Sequence, residues 1–295
     1  MDGVLNIYKP QNMTSHDVVA IVRGALQTKK VGHTGTLDPM ATGVLPICVG
    51  RATKIVDFIQ NDKKTYKTEI TLGIETDTED CWGETIKECP VDVTDEQFRD
   101  AIMSFVGEIS QVPPMYSALK VDGKKLYELA RAGKTVERKA RLRTIFDITI
   151  ESISGTKATF YVTCSKGTYI RTLCSDIGRK LNTVAHMSAL ERTQSGQFTL
   201  ETAISIDDVK SLGLELQKQF LSIDEALGFD KKIHISTKAK ELIQNGVKID
   251  LMRYVSFDYS NDDYVLVYEN KQFLALAQFI NDTLKVTKIF EIKRV

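Results

Sequence analysis

Long apolar runs, a leader segment and paired cysteines are all missing from this sequence of 295 residues. No uninterrupted apolar stretch approaches the ~18 residues that a membrane-spanning helix needs. The first ten residues, MDGVLNIYKP, lack the basic and then apolar pattern of a signal peptide. We therefore expect a protein that resides in the cytoplasm and does not associate with a membrane.

The common cofactor and metal motifs are missing as well. The five cysteines form no CxxC pair, so reduced thiols are expected rather than disulfides or a zinc site. The patterns GxxxxGKS/T, GxGxxG and HExxH, which mark nucleotide or zinc binding, do not occur either. The sequence thus predicts no bound cofactor and no metal.

The chain also lacks a net charge, because 39 Lys and Arg residues balance 39 Asp and Glu residues. The distribution is nevertheless uneven, since residues 120–143 hold nine basic and three acidic side chains, whereas residues 69–108 are strongly acidic. A concentrated basic segment is what a surface that contacts nucleic-acid phosphates requires, although most such runs are solvated helix faces. We expect the basic segment to face a nucleic acid and the acidic one to face away from it.

One acidic residue stands between a glycine turn and an apolar run in the segment GHTGTLDPMATGVLPICVGRATK, residues 32–54. The two glycines of the turn allow positive φ, and the proline that follows Asp38 biases it away from helical geometry. The apolar run over residues 44–49 is typical of a buried strand. Asp38 is therefore a candidate catalytic acid at the end of a sheet. The alternative is that its side chain only caps the turn.

Hydrophobic periodicity predicts helices and strands in alternation. Thr14 and Asp17 form a capping pair before a helix over residues 15–27, and an alternating pattern predicts a strand from Tyr66 to Leu72. Further helices are predicted at 94–107 and 168–181, and further strands at 145–153 and 158–165. Because no strict βαβ repeat occurs, we expect an α+β fold with a mixed sheet.

The C-terminal part of the chain has a different pattern. Residues 199–230 predict a helical connection. A helix is then predicted at 237–244, followed by strands at 263–267, 273–279 and 284–292. A small β-rich domain is therefore expected after residue 230.

Residues 32–54 resemble the signature of the TruB-type pseudouridine synthases, which convert uridine 55 in the T-arm loop of tRNA to pseudouridine. Four further segments resemble this family in the same order, namely NIYKP at 6–10 and residues 64–83, 111–131 and 164–193. The resemblance implies a mixed-sheet catalytic domain over residues 1–230, with a basic RNA-clamping insertion at about residues 112–143. It also implies a PUA-like RNA-binding domain at residues 231–295.

Three residues match the catalytic groups of that family. Asp38 matches the catalytic aspartate, which acts as nucleophile on the ribose or the uracil or assists formation of a glycal. Arg171, in KGTYIRTL, matches the arginine paired with it; a guanidinium within ~4–6 Å orients a carboxylate and favours its ionised form. Tyr66 matches the tyrosine that stacks on the flipped uracil and takes part in proton transfer, although its pattern also suits a core residue.

Three further residues match substrate-binding positions. Tyr169 matches a second active-site tyrosine, and Leu190 matches the apolar residue that lines the base pocket. A uridine inside a folded loop has to be extruded before it reacts, and His33 matches the histidine that enters the RNA loop in its place. Without the resemblance, a turn-stabilising histidine is the favoured interpretation of His33. The chain departs from the family at Glu191, where an arginine is common.

Basic residues are expected to hold the T-arm, because phosphate contacts position an RNA. The candidates are Lys9, Lys64, Lys120, Lys124, Arg131 and Arg141. Pseudouridine formation balances within the substrate, so the resemblance implies no cofactor and no metal. The expected partner is tRNA alone, bound by a monomer without a protein partner.

Three other readings remain open. A non-catalytic protein that binds or remodels tRNA would not need Asp38, Tyr66, Tyr169 and Arg171 together. A hydrolase with Asp38 as nucleophile would need a metal or a second acid. A guide-RNA-dependent member of the same family would work with protein partners and terminal extensions.

Overall fold

The computed structural model describes residues 1–121 and 123–290. Its β-strands are β1 Gly3–Lys9, β2 Val31–His33, β3 Thr42–Val49, β4 Lys64–Leu72, β5 Ile74–Thr76, β6 Thr85–Glu88, β7 Gly107–Gln111, β8 Lys120–Val121, β9 Lys124–Lys125, β10 Arg141–Ser154, β11 Lys157–Cys164, β12 Ala185–Ser195, β13 Phe198–Thr199, β14 Lys232–Ile235, β15 Tyr264–Glu269, β16 Gln272–Ile280 and β17 Thr283–Ile289. Its α-helices are α1 Ser15–Ala25, α2 Val56–Gln60, α3 Asp95–Met103, α4 Leu126–Arg131, α5 Ile170–Lys180, α6 Ile206–Leu212, α7 Ile223–Leu227 and α8 Thr237–Gln244. Short 3₁₀ helices span Gly50–Ile55, Leu200–Thr202, Gly213–Gln219 and Met252–Tyr254. None of the helices formed by the described residues has the length and apolar character needed to cross a membrane.

Nine strands form one mixed sheet in the order β1-β3-β12-β4-β11-β10-β7, with β2 paired to β3 and β13 paired to β12. Strand β12 runs parallel to β3, whereas β1 with β3, β12 with β4 and β4 with β11 are antiparallel. Four strands form a second sheet in the order β14-β15-β16-β17. The expected α+β fold, with a mixed catalytic sheet and a C-terminal β-rich part, is confirmed.

Local sequence accounts for the first helix and for β4. The Thr14 hydroxyl accepts a hydrogen bond from the Asp17 amide at 3.1 Å, and the Asp17 carboxylate accepts one from the Thr14 amide at 2.8 Å. This capping box begins α1 at Ser15, as predicted. Along β4, buried residues alternate with partly exposed ones, and the inward side chains of Tyr66 and Ile70 join the main core.

Two predicted boundaries are displaced. The helix predicted over 94–107 ends at Met103, and Gly107, with a φ of 114°, begins β7 instead. The strand predicted at 145–153 begins earlier, because Arg141 and the residues after it pair with β7. The basic insertion therefore returns to the sheet as a paired strand.

The predicted secondary structure of the C-terminal part of the chain is partly confirmed. The helical connection predicted over 199–230 consists of two short helices, α6 and α7, and two 3₁₀ helices. The strand predicted at 284–292 corresponds to β17, and residues 291 and 292 lie outside the described residues. The helix predicted at 237–244 is confirmed as α8.

The large sheet is covered on both faces at one end. Alternate residues of β1 and β3, such as Leu5 and Ile47, pack against α1 and α6. Their neighbours, such as Val4 and Val44, pack against the first 3₁₀ helix and the second sheet. Further along, α3 and α5 cover the inward side chains of β4, β10 and β11.

These two halves of the large sheet meet along a short junction. Strands β3 and β12 pair only through Thr42 with Glu191 and Gly43 with Arg192. Gly43 has a φ of 104°, and a Cβ atom there would lie 2.2 Å from the Arg192 carbonyl oxygen. Only glycine therefore allows the strands to approach this closely. We call this pairing the seam of the sheet.

Candidate active site

Asp38 lies in the loop between β2 and β3, and this loop is anchored to the start of α1. The buried Ser15 hydroxyl accepts a hydrogen bond from the Leu37 amide at 2.9 Å and contacts the Leu37 carbonyl at 3.2 Å. The backbone carbonyl of Asp38, rather than its carboxylate, accepts the bond from Ala41 that closes the turn. The carboxylate remains 38% exposed. Asp38 is thus held by its backbone, and its carboxylate remains accessible to solvent.

Arg171, in the first turn of α5, lies between two carboxylates. Its Nη2 atom is 3.6 Å from Asp38 Oδ2, and its Nη1 atom is 3.4 Å from Asp80 Oδ2. The Nη2 atom also donates a hydrogen bond to the Tyr116 carbonyl oxygen. Because the Arg171 side chain is only 6% exposed, these acceptors determine where its guanidinium points.

Asp80 is the more firmly held of the two carboxylates. It is 7% exposed, and its Oδ1 atom accepts hydrogen bonds from the Thr78 hydroxyl at 2.8 Å and the Trp82 amide at 3.1 Å. Asp80 therefore orients Arg171, whereas the exposed Asp38 remains accessible to a substrate. Asp80 was not predicted from the sequence as a site residue. It lies within the acidic segment, which was expected to face away from nucleic acid.

Tyr66 and Leu190 lie on neighbouring strands and face the same side of the sheet. In the pairing of β12 with β4, Leu190 is opposite Thr68 and Arg192 is opposite Tyr66. Burial raises the pKa of Tyr66, while the nearby Arg192 guanidinium opposes that rise. The hydroxyl of Tyr66 is therefore protonated at neutral pH. Leu190 packs against the same core cluster as Tyr66.

Tyr169 immediately precedes α5 and is held through its backbone. Its amide donates to Gln111 Oε1 at 2.9 Å, and its carbonyl accepts from Gln111 Nε2 at 3.0 Å. The guanidinium carbon of Arg171 lies 6.0 Å from the centre of the Tyr169 ring. Gln111, which sequence analysis did not single out, thus ties the start of the insertion to the start of α5.

His33 ends β2, close to the Asp38 loop. Its Nδ1 atom accepts a hydrogen bond from the Gly35 amide at 3.3 Å, and its ring meets that of His16 edge to face at 5.3 Å. Burial, with a contribution from His16, lowers the pKa of His33 to about 4. His33 is therefore uncharged at neutral pH, with its proton on Nε2.

Lys9 and Lys64 do not lie where phosphate contacts would require. Lys9 has no exposed surface, and its ammonium donates to the carbonyls of Pro10 at 2.9 Å and Met13 at 2.7 Å. Lys64 is also buried and donates to the carbonyls of Gln60 and Asp62. Burial lowers the pKa of each lysine to about 8. The prediction that these two residues contact RNA phosphates does not fit their conformation, because both ammonium groups turn inward.

The other basic candidates are exposed and lie on separate elements. Lys120 is in β8, Lys124 in β9, Arg131 at the end of α4 and Arg141 at the start of β10. They contribute no atom to the Asp38–Arg171 contact, which the insertion reaches instead through Tyr116. The structure thus separates a basic outer surface from the carboxylate site.

Arg192 is a second residue that sequence analysis undervalued. It is 1% exposed, and its side chain crosses the seam, where Nε donates to the Val44 carbonyl at 2.7 Å and Nη2 to the Gly35 carbonyl at 3.3 Å. The sequence signal for Arg192 was a charged side chain at a strand position that points into the protein interior. In the described part of the chain, no group of three or more His, Cys, Asp or Glu side chains is arranged to hold a metal ion.

Comparisons with known proteins identify the family of this chain. The profile described as the N-terminal domain of the TruB family pseudouridylate synthases matches residues 23–170, and that of the tRNA pseudouridylate synthase B C-terminal domain matches residues 171–227. The proteins named tRNA pseudouridine synthase B from Clostridium tetani and from Clostridium perfringens strain 13 are 45% and 49% identical, and each alignment covers 98% of this chain and 99% of the relative. The protein of that name from Alkaliphilus oremlandii is 51% identical, with 84% of this chain and 83% of the relative covered.

Solved structures give the same result for the fold. A chain of a Cbf5-Nop10-Gar1 complex has a TM-score of 0.77 and 28% identity, and the match covers 98% of this chain and 85% of that one. A chain of an H/ACA RNP bound to a substrate RNA containing 2'-deoxyuridine has a TM-score of 0.74 and 25% identity, with 98% and 85% covered. The near-complete coverage of relatives at 45–51% identity, and the matching fold, show that this chain belongs to the TruB family of pseudouridine synthases.

Proposed function

We propose that this protein isomerises uridine 55 in the T-arm loop of tRNA to pseudouridine. The observation that carries the proposal is the exposed carboxylate of Asp38, 3.6 Å from the nearly buried guanidinium of Arg171. The names of relatives that align over almost the whole chain support tRNA as the substrate. The position within tRNA follows from the resemblance of residues 32–54 to the family signature.

The proposed reaction is a rearrangement within one nucleotide. The bond between ribose C1′ and uracil N1 breaks, the base turns, and a bond forms between C1′ and C5. The proton leaves C5 and N1 gains one, so no oxidant or reductant is consumed. Asp38 acts as the nucleophile or assists glycal formation, and Arg171 orients its carboxylate.

The remaining site residues receive the flipped nucleotide. Tyr66 stacks on the uracil and takes part in proton transfer, and its hydroxyl starts out protonated because burial raises its pKa. Tyr169 and Leu190 line the pocket on either side. The uncharged His33 occupies the space that the flipped base leaves, through shape and stacking.

RNA binding is assigned to two other parts of the chain. The exposed basic residues of the insertion contact T-arm phosphates, namely Lys120, Lys124, Arg131 and Arg141. We further propose a catalytic domain at residues 1–230 and a PUA-like RNA-binding domain at residues 231–295. The start of the second sheet at Lys232 supports this division.

We also propose that the protein acts as a cytoplasmic monomer without a protein partner. The solved chains of similar fold come from a Cbf5-Nop10-Gar1 complex and from an archaeal box H/ACA sRNP Nop10-Cbf5 complex. The relatives of higher identity are named instead as tRNA pseudouridine synthase B. Turnover by the purified chain alone is the direct check, and a requirement for a second protein would contradict this part of the proposal.

The test uses purified protein, unmodified tRNA and a chelator, without added nucleotide, followed by mapping of the modified position. Wild-type protein is expected to convert uridine 55 only. The Asp38→Asn variant should retain T-arm binding in a filter assay but form no pseudouridine. Asp57→Asn, which alters an exposed aspartate of α2, is the control and should behave as wild type. Near-normal turnover by Asp38→Asn would refute the assigned chemistry, and RNA binding without any product from wild type would indicate a non-catalytic tRNA-binding protein.

A further inference from the structure

Three segments of the chain meet at the Arg171 guanidinium. The loop before β3 brings Asp38, the loop between β5 and β6 brings Asp80, and the insertion brings the carbonyl of Tyr116. The nitrogen that faces Asp38, Nη2, is the same nitrogen that donates to Tyr116. The position of the insertion therefore decides in which direction that nitrogen points.

The insertion and the Asp80 loop are joined to each other by one hydroxyl. The Tyr116 hydroxyl donates to Asp77 Oδ2 at 3.2 Å. The other oxygen of Asp77 accepts from the Glu84 amide at 2.9 Å, and the Asp77 amide donates to the Glu84 carbonyl at 3.1 Å. Asp77 thus closes the loop that carries Asp80, and Tyr116 fastens the insertion to that closure.

Two other contacts hold the insertion close to this hydrogen bond. Gln111 fixes the start of the insertion through the Tyr169 backbone, and Arg138 contacts the Pro113 carbonyl at 3.0 Å. Neither contact reaches Tyr116 itself.

The Tyr116 carbonyl shares its peptide unit with the Ser117 amide, which donates to the Met115 carbonyl at 2.9 Å within the insertion. The Tyr116 hydroxyl instead joins this part of the insertion to the loop that carries Asp80.

We propose that Tyr116 and Asp77 are positioning residues whose hydrogen bond holds the insertion against the Asp80 loop and thereby keeps Arg171 directed at Asp38. Neither side chain needs to touch the substrate. When the bond is lost, the Tyr116 carbonyl moves away and the guanidinium turns towards Asp80. The basic surface that contacts RNA and the catalytic ion pair are in this way connected by a continuous series of hydrogen bonds. The catalytic part of this inference rests on the proposed function.

The first test needs no RNA. Trp82 is the single tryptophan of the chain, is 50% exposed, and lies in the Asp80 loop. Tyr116→Phe removes only the hydroxyl, so acrylamide should quench Trp82 fluorescence more strongly in this variant than in wild type, because the loop is less restrained. Tyr127→Phe is the matched control, since the Tyr127 hydroxyl bonds to Lys125 within the insertion, and its quenching should equal that of wild type. Equal quenching in Tyr116→Phe and wild type would refute the connection.

The second test separates positioning from RNA contact and from stability. Loss of one hydrogen bond to a charged acceptor predicts a fall in kcat of about five- to tenfold. The KM for T-arm RNA and the Tm should stay at the wild-type values. A rise in KM alone would assign the hydroxyl to RNA binding, and a fall in Tm with unchanged kcat would assign it to stability; either result overturns the proposal.

A double-variant comparison tests the pairing itself. If one bond carries the effect, Tyr116→Phe combined with Asp77→Ala should have the same kcat as Asp77→Ala alone. Effects that multiply would contradict the proposal. Should Asp77→Ala fail to fold, Asp77→Ser replaces it in the comparison, because its shorter hydroxyl can still accept from the Glu84 amide and does not reach the Tyr116 hydroxyl. If wild type forms no pseudouridine, the proposed function fails, while the fluorescence comparison still decides whether the bond joins the two segments.

Discussion

At the level of single residues, the burial of two lysines reduces the free energy of unfolding by an amount that depends on pH. Lys9 and Lys64 are buried, and each has its pKa lowered from 10.5 to about 8. Between pH 8 and 10.5 the unfolded chain holds protons that the folded chain has released. The two lysines therefore contribute a rise in the free energy of unfolding with pH through this window, because the unfolded state holds more protons on them. The buried thiols of Cys48, Cys164 and Cys174, whose pKa values burial raises to about 12, 11 and 12, contribute a fall.

Replacing Lys9 should reduce the lysine contribution to this pH dependence. The Lys9→Met variant lacks one of the two shifted lysines, so the difference in free energy of unfolding between this variant and wild type should shift in favour of wild type as the pH rises from 8 to 10. Urea unfolding at several pH values measures the slope. Lys157→Met, at an exposed position, is the control and should keep the wild-type slope; an unchanged slope in Lys9→Met would contradict the prediction.

The same residues show where sequence reasoning stops at this scale. The Asp38–Arg171 contact was predicted through a resemblance, and the two groups do lie 3.6 Å apart. The inward orientation of the Lys9 side chain could not be predicted from the sequence. It depends on backbone carbonyls that only the folded chain places next to the ammonium group. Asp80 was missed for a related reason: its partner Arg171 is 91 residues away, and no local pattern reports such a pairing.

At the level of elements, the start of α1 is expected to control both stability and turnover. Ser15→Ala removes the hydroxyl that bonds to both backbone groups of Leu37. An unsatisfied buried amide costs about 1–3 kcal/mol, and the Asp38 loop loses its anchor. We expect a lower free energy of unfolding and, in addition, a lower kcat.

The neighbouring residue supplies the control for that prediction. Thr14→Ala removes the cap of the same helix and should cost about 1 kcal/mol. The Thr14 side chain bonds to Asp17 rather than to the Asp38 loop, so kcat should remain at the wild-type value. Equal losses of kcat in Ser15→Ala and Thr14→Ala would show that helix stability alone controls turnover.

Elements with a strong local pattern were predicted most accurately. The capping boxes before α1 and α3 and the alternation along β4 are all visible in a few consecutive residues, and the structure confirms them. The 199–230 connection was less predictable because its short helices α6 and α7 are interrupted by 3₁₀ turns. The early start of β10 depends on pairing with β7, which only the tertiary structure supplies.

At the level of the whole molecule, the two sheets share one core. Leu266, Tyr268 and Leu276 of the second sheet pack in the same cluster as Val44 and Ile55. The Tyr268 hydroxyl also donates to Asp224 at 2.7 Å. Burial of this shared apolar surface stabilises both parts together.

Thermal unfolding should therefore occur in a single transition. Differential scanning calorimetry of the full chain is expected to show one peak, with amides of β3 and β16 losing hydrogen-exchange protection together. A chain ending at residue 230 should have a lower Tm and aggregate, because Val44 and Ile55 lose their apolar cover. Two resolved peaks, or an undisturbed truncated chain, would contradict this expectation.

The seam affects which substitutions this protein tolerates without losing turnover. Asp38 lies on the β3 side of the seam, whereas Tyr66 and Leu190 lie on the β12 side, and the backbones of the two strands pair there through two residue pairs. The spacing of the reacting groups is thus set by main-chain contact at Gly43 instead of by the size of the surrounding apolar side chains. Conservative aliphatic exchanges in the two interiors that leave Leu190 in place are accordingly expected to change the melting temperature more than the turnover rate, while a methyl group added at Gly43 should push the two strands apart and lower both.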